Sequence, residues 1–235
     1  MKDTDMNIDQ AEIAKFEAMS SIWWDKGGEL KALHDINQLR LNYINDRAHI
    51  VGKKVLDVAC GGGILSEAMA ALGADVSGID AGREALAVAK LHCEQSDLKI
   101  NYQHSTAEKF SETHSEHFDV ITCLELLEHV PEPSSIVAAC WKLVKPGGDV
   151  FFATINRNPK AFVFAIVGAE YVLGLVRKGT HTYNKFIRPT ELEHWAGKVG
   201  LTLKDLTGLH YNPFTRNYSL GGNVHVNYMM HFCKQ

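Results

Sequence analysis

At 235 residues, 46% of them apolar, the chain can build one large core, or a core domain with a cap. Its net charge of −4 excludes a bulk polyanion binder, so no nucleic-acid partner is expected. Five scattered cysteines with no C-x-x-C pair read as buried, reduced thiols, and the opening residues carry no export signal, so a cytoplasmic protein is expected.

The polar residues 1–9 read as a frayed end. Over residues 10–24, Ile13, Phe16, Met19 and Trp23 recur in steps of three and four, which predicts a helix. Gly27-Gly28 breaks it, and a second helix is expected over 36–48, with Leu39, Tyr43 and Ile44 on one face. Both precede the first strand, so residues 1–50 are expected to form a helical cap over a ligand cleft. His34 and Arg40 lie in it. Trp23 and Trp24 read as packing residues, one of which can wall the cleft.

Residues 51–156 read as a cofactor-binding core. Val55, Leu56 and Val58 make a short buried strand, followed by Gly61-Gly62-Gly63 and a helix over 65–72 closed by Gly73. Glycines allow positive φ and close backbone approach, and helix N-termini offer free N–H groups, so a nucleotide-like cofactor is implied. The dinucleotide fingerprint G-x-G-x-x-G fails here, because Ser66 stands at its third position. Asp57 would repel a pyrophosphate and suits a ligand carrying an ammonium or sulfonium. Asp80, nineteen residues past Gly61, ends the second strand (74–79), where an acid grips ribose hydroxyls. A ribose, a cationic amino-acid tail and no diphosphate describe S-adenosylmethionine.

A helix over 83–93 and a strand over 99–104 follow. Ser105-Thr106-Ala107-Glu108 then sits at the ligand-binding edge of the sheet, though the same residues read equally as a helix cap. After a strand over 118–123 comes Leu124-Glu125-Leu126-Leu127-Glu128-His129-Val130. If helical, Glu125, Glu128 and His129 share one face. Such a set suits a divalent cation such as Mg²⁺, or a general base, or simply a polar helix start. Lys145-Pro146-Gly147-Gly148 turns into a strand over 150–155.

Residues 157–188 read as an apolar insertion. Residues 161–176 carry one charge, Glu170, between flanking Arg157, Lys160, Arg177 and Lys178. Sixteen residues at ~1.5 Å rise cannot span a hydrocarbon core of ~30 Å. Three readings stay open: a greasy substrate channel, an element lying on anionic lipid at the membrane surface, and an ordinary buried helix. Residues 189–235 return to the core. Thr190 and Glu193 have capping-box spacing and Gly200 closes that helix. Residues 201–211 and 223–232 read as an antiparallel pair at the sheet edge, with Asn212-Pro213 and Gly221-Gly222 in a loop between them. The expected fold is α/β: a Rossmann-like, seven-stranded, mostly parallel sheet, helices on both faces, last strand antiparallel.

VLDVACGGG, GID, FDVITCLELLEHV and LVKPGG resemble the ordered motifs of class I S-adenosylmethionine-dependent methyltransferases. IAKFEAMSSIWWD, LHDINQLRLNYI, VGAEY, KGTH and GLHYNP resemble, more specifically, the ubiquinone-biosynthesis O-methyltransferases, from Ile13 to Tyr228. The resemblance implies two O-methylations of polyprenylated hydroxyphenol or demethylubiquinol substrates. It implies that Arg40 touches the cofactor's carboxylate and that Ala107's loop lines the adenine. Asp57, Ala59, Gly61, Gly63, Asp80 and Leu124 complete the expected cofactor contacts. It also implies inner-membrane contact, other ubiquinone-biosynthesis proteins as partners, and, as in some relatives, a divalent cation that chelates adjacent phenolic oxygens. One departure stands out: Ala59 replaces the usual glycine, so its methyl group requires a small backbone adjustment.

Methyl transfer is an in-line displacement, and a phenol of pKa about 10 must lose its proton by the transition state. His129 and the pair Glu125 and Glu128 are the candidates to take it, with His34 and His181 behind them. Two other classes were weighed. Ser66 and Asp57 argue against an NAD-dependent oxidoreductase. Intact Asp57, Asp80 and glycines argue against a non-catalytic lipid-binding member of a biosynthetic complex. A methyltransferase of this fold acting on another phenolic or lipid acceptor is the remaining alternative.

Overall fold

The computed structural model describes residues 7–158, 183–212, 215 and 217–235. Helices α1 (Gln10–Glu17) and α2 (Lys31–Ala48) lead into β1 (Lys54–Val58), α3 (Ile64–Ala71), β2 (Asp75–Asp80) and α4 (Arg83–Gln95). Then come β3 (Asn101–His104), α5 (Ala107–Ser111), β4 (Phe118–Leu124), α6 (Pro133–Leu143) and β5 (Val144–Ile155). After the undescribed stretch follow α7 (Pro189–Val199), β6 (Leu201–Asn212), β7 (Asn217–Leu220) and β8 (Asn227–Lys234).

All strands join one sheet of order β3-β2-β1-β4-β5-β8-β6-β7. β1 to β5 are mutually parallel, while β8 pairs antiparallel with both β5 and β6. Strand alternation sorts the core into two layers. Val55, Val120, Phe151, Ala153 and Met229 pack with α2 and α3 on one face. Leu56, Val58, Ile121, Cys123, Phe152 and Met230 pack with α5, α6 and α7 on the other. All five cysteines are free thiols, and four are buried.

The sheet has eight described strands, not the seven expected. The extra one is β7, whose four residues pair with β6 from Leu209↔Leu220 to Asn212↔Asn217. Asn-Tyr-Ser-Leu at a sheet edge, between two turn segments, is too short to give a periodic signal. The helix expected over 10–24 ends at Glu17, with a 3₁₀ turn at Ser20–Ile22 after it, and three further local expectations need correction. Helix α2 begins at Lys31, five residues earlier than expected. The cap of α7 lies two residues earlier than the Thr190–Glu193 spacing suggests: Pro189 opens the helix and the Glu191 carboxylate accepts the Arg188 N–H at 2.9 Å.

The third correction matters most. Residues 124–130 are not a helix. Glu125 takes φ +56°, and its N–H donates to the Ala153 carbonyl at 2.9 Å, extending the β4–β5 ladder. One 3₁₀ turn forms at Leu127–His129, and Val130 is extended. Pro131 explains this, because the residue before a proline is driven out of the helical region. Residues 159–182, which include the apolar stretch, the VGAEY and KGTH motifs and His181, lie outside the described residues. Among those described, no helix is long and apolar enough to cross a membrane.

Candidate active site

The carboxyl ends of β1, β2 and β4 meet where the strand order reverses, the place where open α/β sheets bind ligands. A cavity of about 220 Å³ lies there. Of the expected cofactor residues, Arg40, Asp57, Ala59, Gly61, Asp80, Ala107 and Leu124 line it. Gly63 does not. It sits beneath, as the N-cap of α3 at φ +87°. All of Ser105, Thr106, Ala107 and Glu108 line the cavity, and Thr106 also accepts the Lys109 N–H as the N-cap of α5, so both readings of that stretch hold.

Asp57 is buried, facing Thr122 across the β1–β4 ladder. Its two oxygens accept the Ser66 hydroxyl at 2.6 Å and the Thr122 hydroxyl at 2.7 Å. Burial raises its pKa to about 6, against the pull of those two hydrogen bonds. Asp80 is fixed by backbone alone: Gly61 N–H donates at 2.9 Å and Gly82 N–H at 2.7 Å. Burial pushes its pKa up as well. A buried Asp57 and a half-buried Asp80 beside a glycine loop fit a cationic, ribose-bearing ligand.

Ala59 adopts φ +57°, a left-handed conformation that glycine takes freely. The left-handed region costs a non-glycine residue roughly 1–2 kcal/mol. Trp23 covers the loop: a Cβ on Gly61 or Gly62 would collide with its indole. Trp24 donates its indole N–H to the Gly62 carbonyl at 3.0 Å and stacks on His92 at 3.4 Å. Both tryptophans therefore pack, and Trp23 also walls the cavity.

The expected trio diverges. Glu125 pairs with Arg40, which is buried and whose Nε has no partner. Glu128 points away from the cavity, accepting the Thr154 hydroxyl at 2.7 Å, and its other oxygen has no partner. Burial, then Glu125, raises the Glu128 pKa to about 8. His129 lines the cavity with its Nδ1 2.8 Å from Glu12 Oε2. The shared helix face is thus corrected: Glu125, at φ +56°, and the single 3₁₀ turn take the three side chains to Arg40, Thr154 and Glu12. Among the described residues, no group of three His, Cys, Asp or Glu side chains is placed to hold a metal. His34 binds the Trp23 carbonyl at 2.9 Å and does not line the cavity.

Sequence reasoning missed Glu12, Asn7 and the role of Ser66. Glu12 had a signal: it precedes Phe16 by four residues and so continues the apolar stripe Phe16, Met19, Trp23. A carboxylate on a buried stripe needs a partner. Ser66 was visible only as a missing glycine.

The family described as "Methyltransferase domain" matches residues 32–206. The chain is 60% identical to the ubiquinone biosynthesis O-methyltransferase of Pseudomonas fluorescens over 224 residues, 95% of this chain and 97% of that one. That of Pseudomonas syringae pv. tomato is also 60% identical, over the same shares. The chain belongs to the ubiquinone biosynthesis O-methyltransferase family. Solved structures extend the likeness in fold. A possible histamine N-methyltransferase from Thermotoga maritima matches with TM-score 0.68 at 14% identity, covering 95% of this chain and 100% of that one. The magnesium protoporphyrin IX methyltransferase of Synechocystis, solved with bound S-adenosylmethionine, matches with TM-score 0.65 at 13% identity, covering 97% and 98%. Membership of this methyltransferase family makes the chain an S-adenosylmethionine-dependent enzyme.

Proposed function

We propose that the chain methylates phenolic hydroxyls of polyprenylated hydroxyphenol and demethylubiquinol intermediates, with His129 as the general base. One observation carries the assignment of the base: His129 lines the same cavity as Asp57, Asp80 and the glycine loop. S-adenosylmethionine, when bound, supplies an electrophilic methyl group on a sulfonium. Asp80 would hold its ribose hydroxyls and Asp57 its cationic tail. Arg40, tied to Glu125 but keeping an unpaired Nε, suits its carboxylate. His129 takes the phenolic proton as the new C–O bond forms, and the displaced sulfide leaves neutral. No step is assigned to a divalent cation, because among the described residues no group of three His, Cys, Asp or Glu side chains is placed to hold one.

Membrane contact follows from the substrate's chemistry, since a polyprenyl tail partitions into lipid; contacts with other enzymes of the pathway are proposed on the same ground. The test is single-turnover methylation of a soluble catechol analogue. His129→Ala should slow it by at least ~10² while calorimetry finds cofactor affinity little changed. A wild-type rate in that variant rules His129 out as the base.

A further inference from the structure

Asn37 lines the cavity from α2, one helical turn before Arg40, which lines it too. Its Nδ2 donates to the Ile64 carbonyl at 3.2 Å. A carbonyl only accepts, so that contact requires the amide nitrogen and turns the amide oxygen away. Among the described residues Asn37 Oδ1 has no partner, and the side chain is half-buried. We propose that Asn37 is a specificity-determining residue for the cofactor: its Oδ1 accepts a hydrogen bond from the α-ammonium of the amino-acid tail, beside the carboxylate that Arg40 takes. This rests on the placement of the tail proposed above, with Arg40 at its carboxylate and Asp57 supplying negative charge.

Three features support the assignment. First, the two side chains match the two ends of a zwitterion. A carboxylate needs donors, whereas an ammonium brings three N–H donors and no acceptor. Arg40 only donates, and its buried Nε is unpaired. Asn37, one turn away on the same helix face, is pinned with its acceptor free. An anchored side chain loses little further freedom when the ligand arrives.

Second, Asp57 leaves room for another acceptor. Its two oxygens already accept the Ser66 hydroxyl at 2.6 Å and the Thr122 hydroxyl at 2.7 Å. It supplies charge, while part of its accepting capacity is used. The further acceptor is best neutral, because a carboxylate beside Arg40 would pair with the guanidinium and compete with the ligand's own carboxylate.

Third, the fold asks little of the Asn37 amide. Ile64 opens α3, so its carbonyl already takes an N–H of that helix's own ladder. Helix α2 is held elsewhere: Leu41, Tyr43, Ile44 and Ala48 are buried in one cluster, and the Tyr43 hydroxyl donates to Asp205 at 2.8 Å. The place of Asn37 at the cavity wall therefore points to the ligand rather than to packing.

The experiment is calorimetry with three ligands. S-adenosylhomocysteine keeps the whole tail, its analogue lacking the α-amino group keeps only the carboxylate, and 5′-methylthioadenosine has no amino-acid tail. Asn37→Leu should weaken S-adenosylhomocysteine about tenfold or more, the size of one hydrogen bond to a charged group, and leave the other two ligands within about threefold. A residue that merely ties α2 to α3 would weaken all three alike. Arg40→Met should weaken both ligands that carry the carboxylate and spare 5′-methylthioadenosine.

Unchanged S-adenosylhomocysteine affinity in Asn37→Leu, or an equal loss on all three ligands, overturns this proposal alone when Arg40→Met behaves as expected. Unchanged affinities in Arg40→Met overturn the placement of the tail beneath it. If Asn37→Leu fails to fold, ¹H–¹⁵N spectra of the unaltered protein decide. The Asn37 side-chain amide signals should shift with S-adenosylhomocysteine and stay in place with the analogue lacking the amino group; the same shift with both, or none with either, refutes the proposal.

Discussion

Ser66 Oγ donates to Asp57 Oδ2 at 2.6 Å, so two departures from the dinucleotide fingerprint are one interaction. The residue standing in place of the third glycine holds the acid that a pyrophosphate would not tolerate. Thr122 holds the other oxygen at 2.7 Å. The carboxylate is thus aimed and satisfied, yet buried enough to carry a pKa of about 6.

That raised value gives a pH dependence with a definite sign. Folded Asp57 keeps its proton to about pH 6, whereas an unfolded aspartate loses it near 3.9. Its contribution to apo-protein stability is therefore full below about pH 3.9 and lost as pH rises through 6. A cationic ligand reverses the preference by favouring the ionised form. Affinity for S-adenosylmethionine should rise about tenfold between pH 5 and pH 7. Asp57→Asn should flatten that rise, and Ser66→Ala should move it to higher pH by removing a donor to the carboxylate. Calorimetric titrations across this range check all three. Affinity independent of pH in the unaltered protein would remove Asp57 from the ligand's charge.

Gly62 illustrates a constraint set by packing. Its φ is not in the left-handed region, so an alanine there is not strained by its backbone. The added Cβ would instead meet the Trp23 indole. Gly62→Ala should destabilise the protein by about 1–3 kcal/mol, as overpacked sites do. Trp23→Ala is itself costly, but in that background Gly62→Ala should cost less than half as much. Denaturant unfolding of the four species gives the coupling directly. Equal costs in both backgrounds would show that the indole is not what excludes the side chain.

The sheet and the cofactor floor were legible because their signals are local. A buried run, a glycine turn and an acid at the next strand end stand close together in sequence, and Asp57 and Asp80 line the cavity as that spacing implied. The surroundings of His129 were not legible. Glu12 reaches His129 only through tertiary docking of α1, and spacing within 124–130 carries no information about that. The helical reading of 124–130 had a local contradiction in plain view, since Pro131 bars Val130 from helix. Edge strand β7 left too short a pattern.

Glu128 was a candidate base by position in the sequence, and its surroundings now point elsewhere. It lies outside the cavity lining, bound to Thr154, with a pKa raised to about 8 by burial and by Glu125. Burial and the neighbouring Glu125 favour its protonated form, which is isosteric with glutamine. Glu128→Gln should leave turnover within a few-fold of the parent. The effect should appear in stability instead. An unfolded glutamate ionises near 4.3, so the stabilising contribution of protonated Glu128 is full below that pH and lost as pH rises through 8. Glutamine cannot titrate, so the variant should show a shallower loss of stability between pH 6 and pH 9. Urea unfolding at three pH values measures this, and a fall as steep as the parent's, or a hundredfold loss of turnover, would return Glu128 to the chemistry.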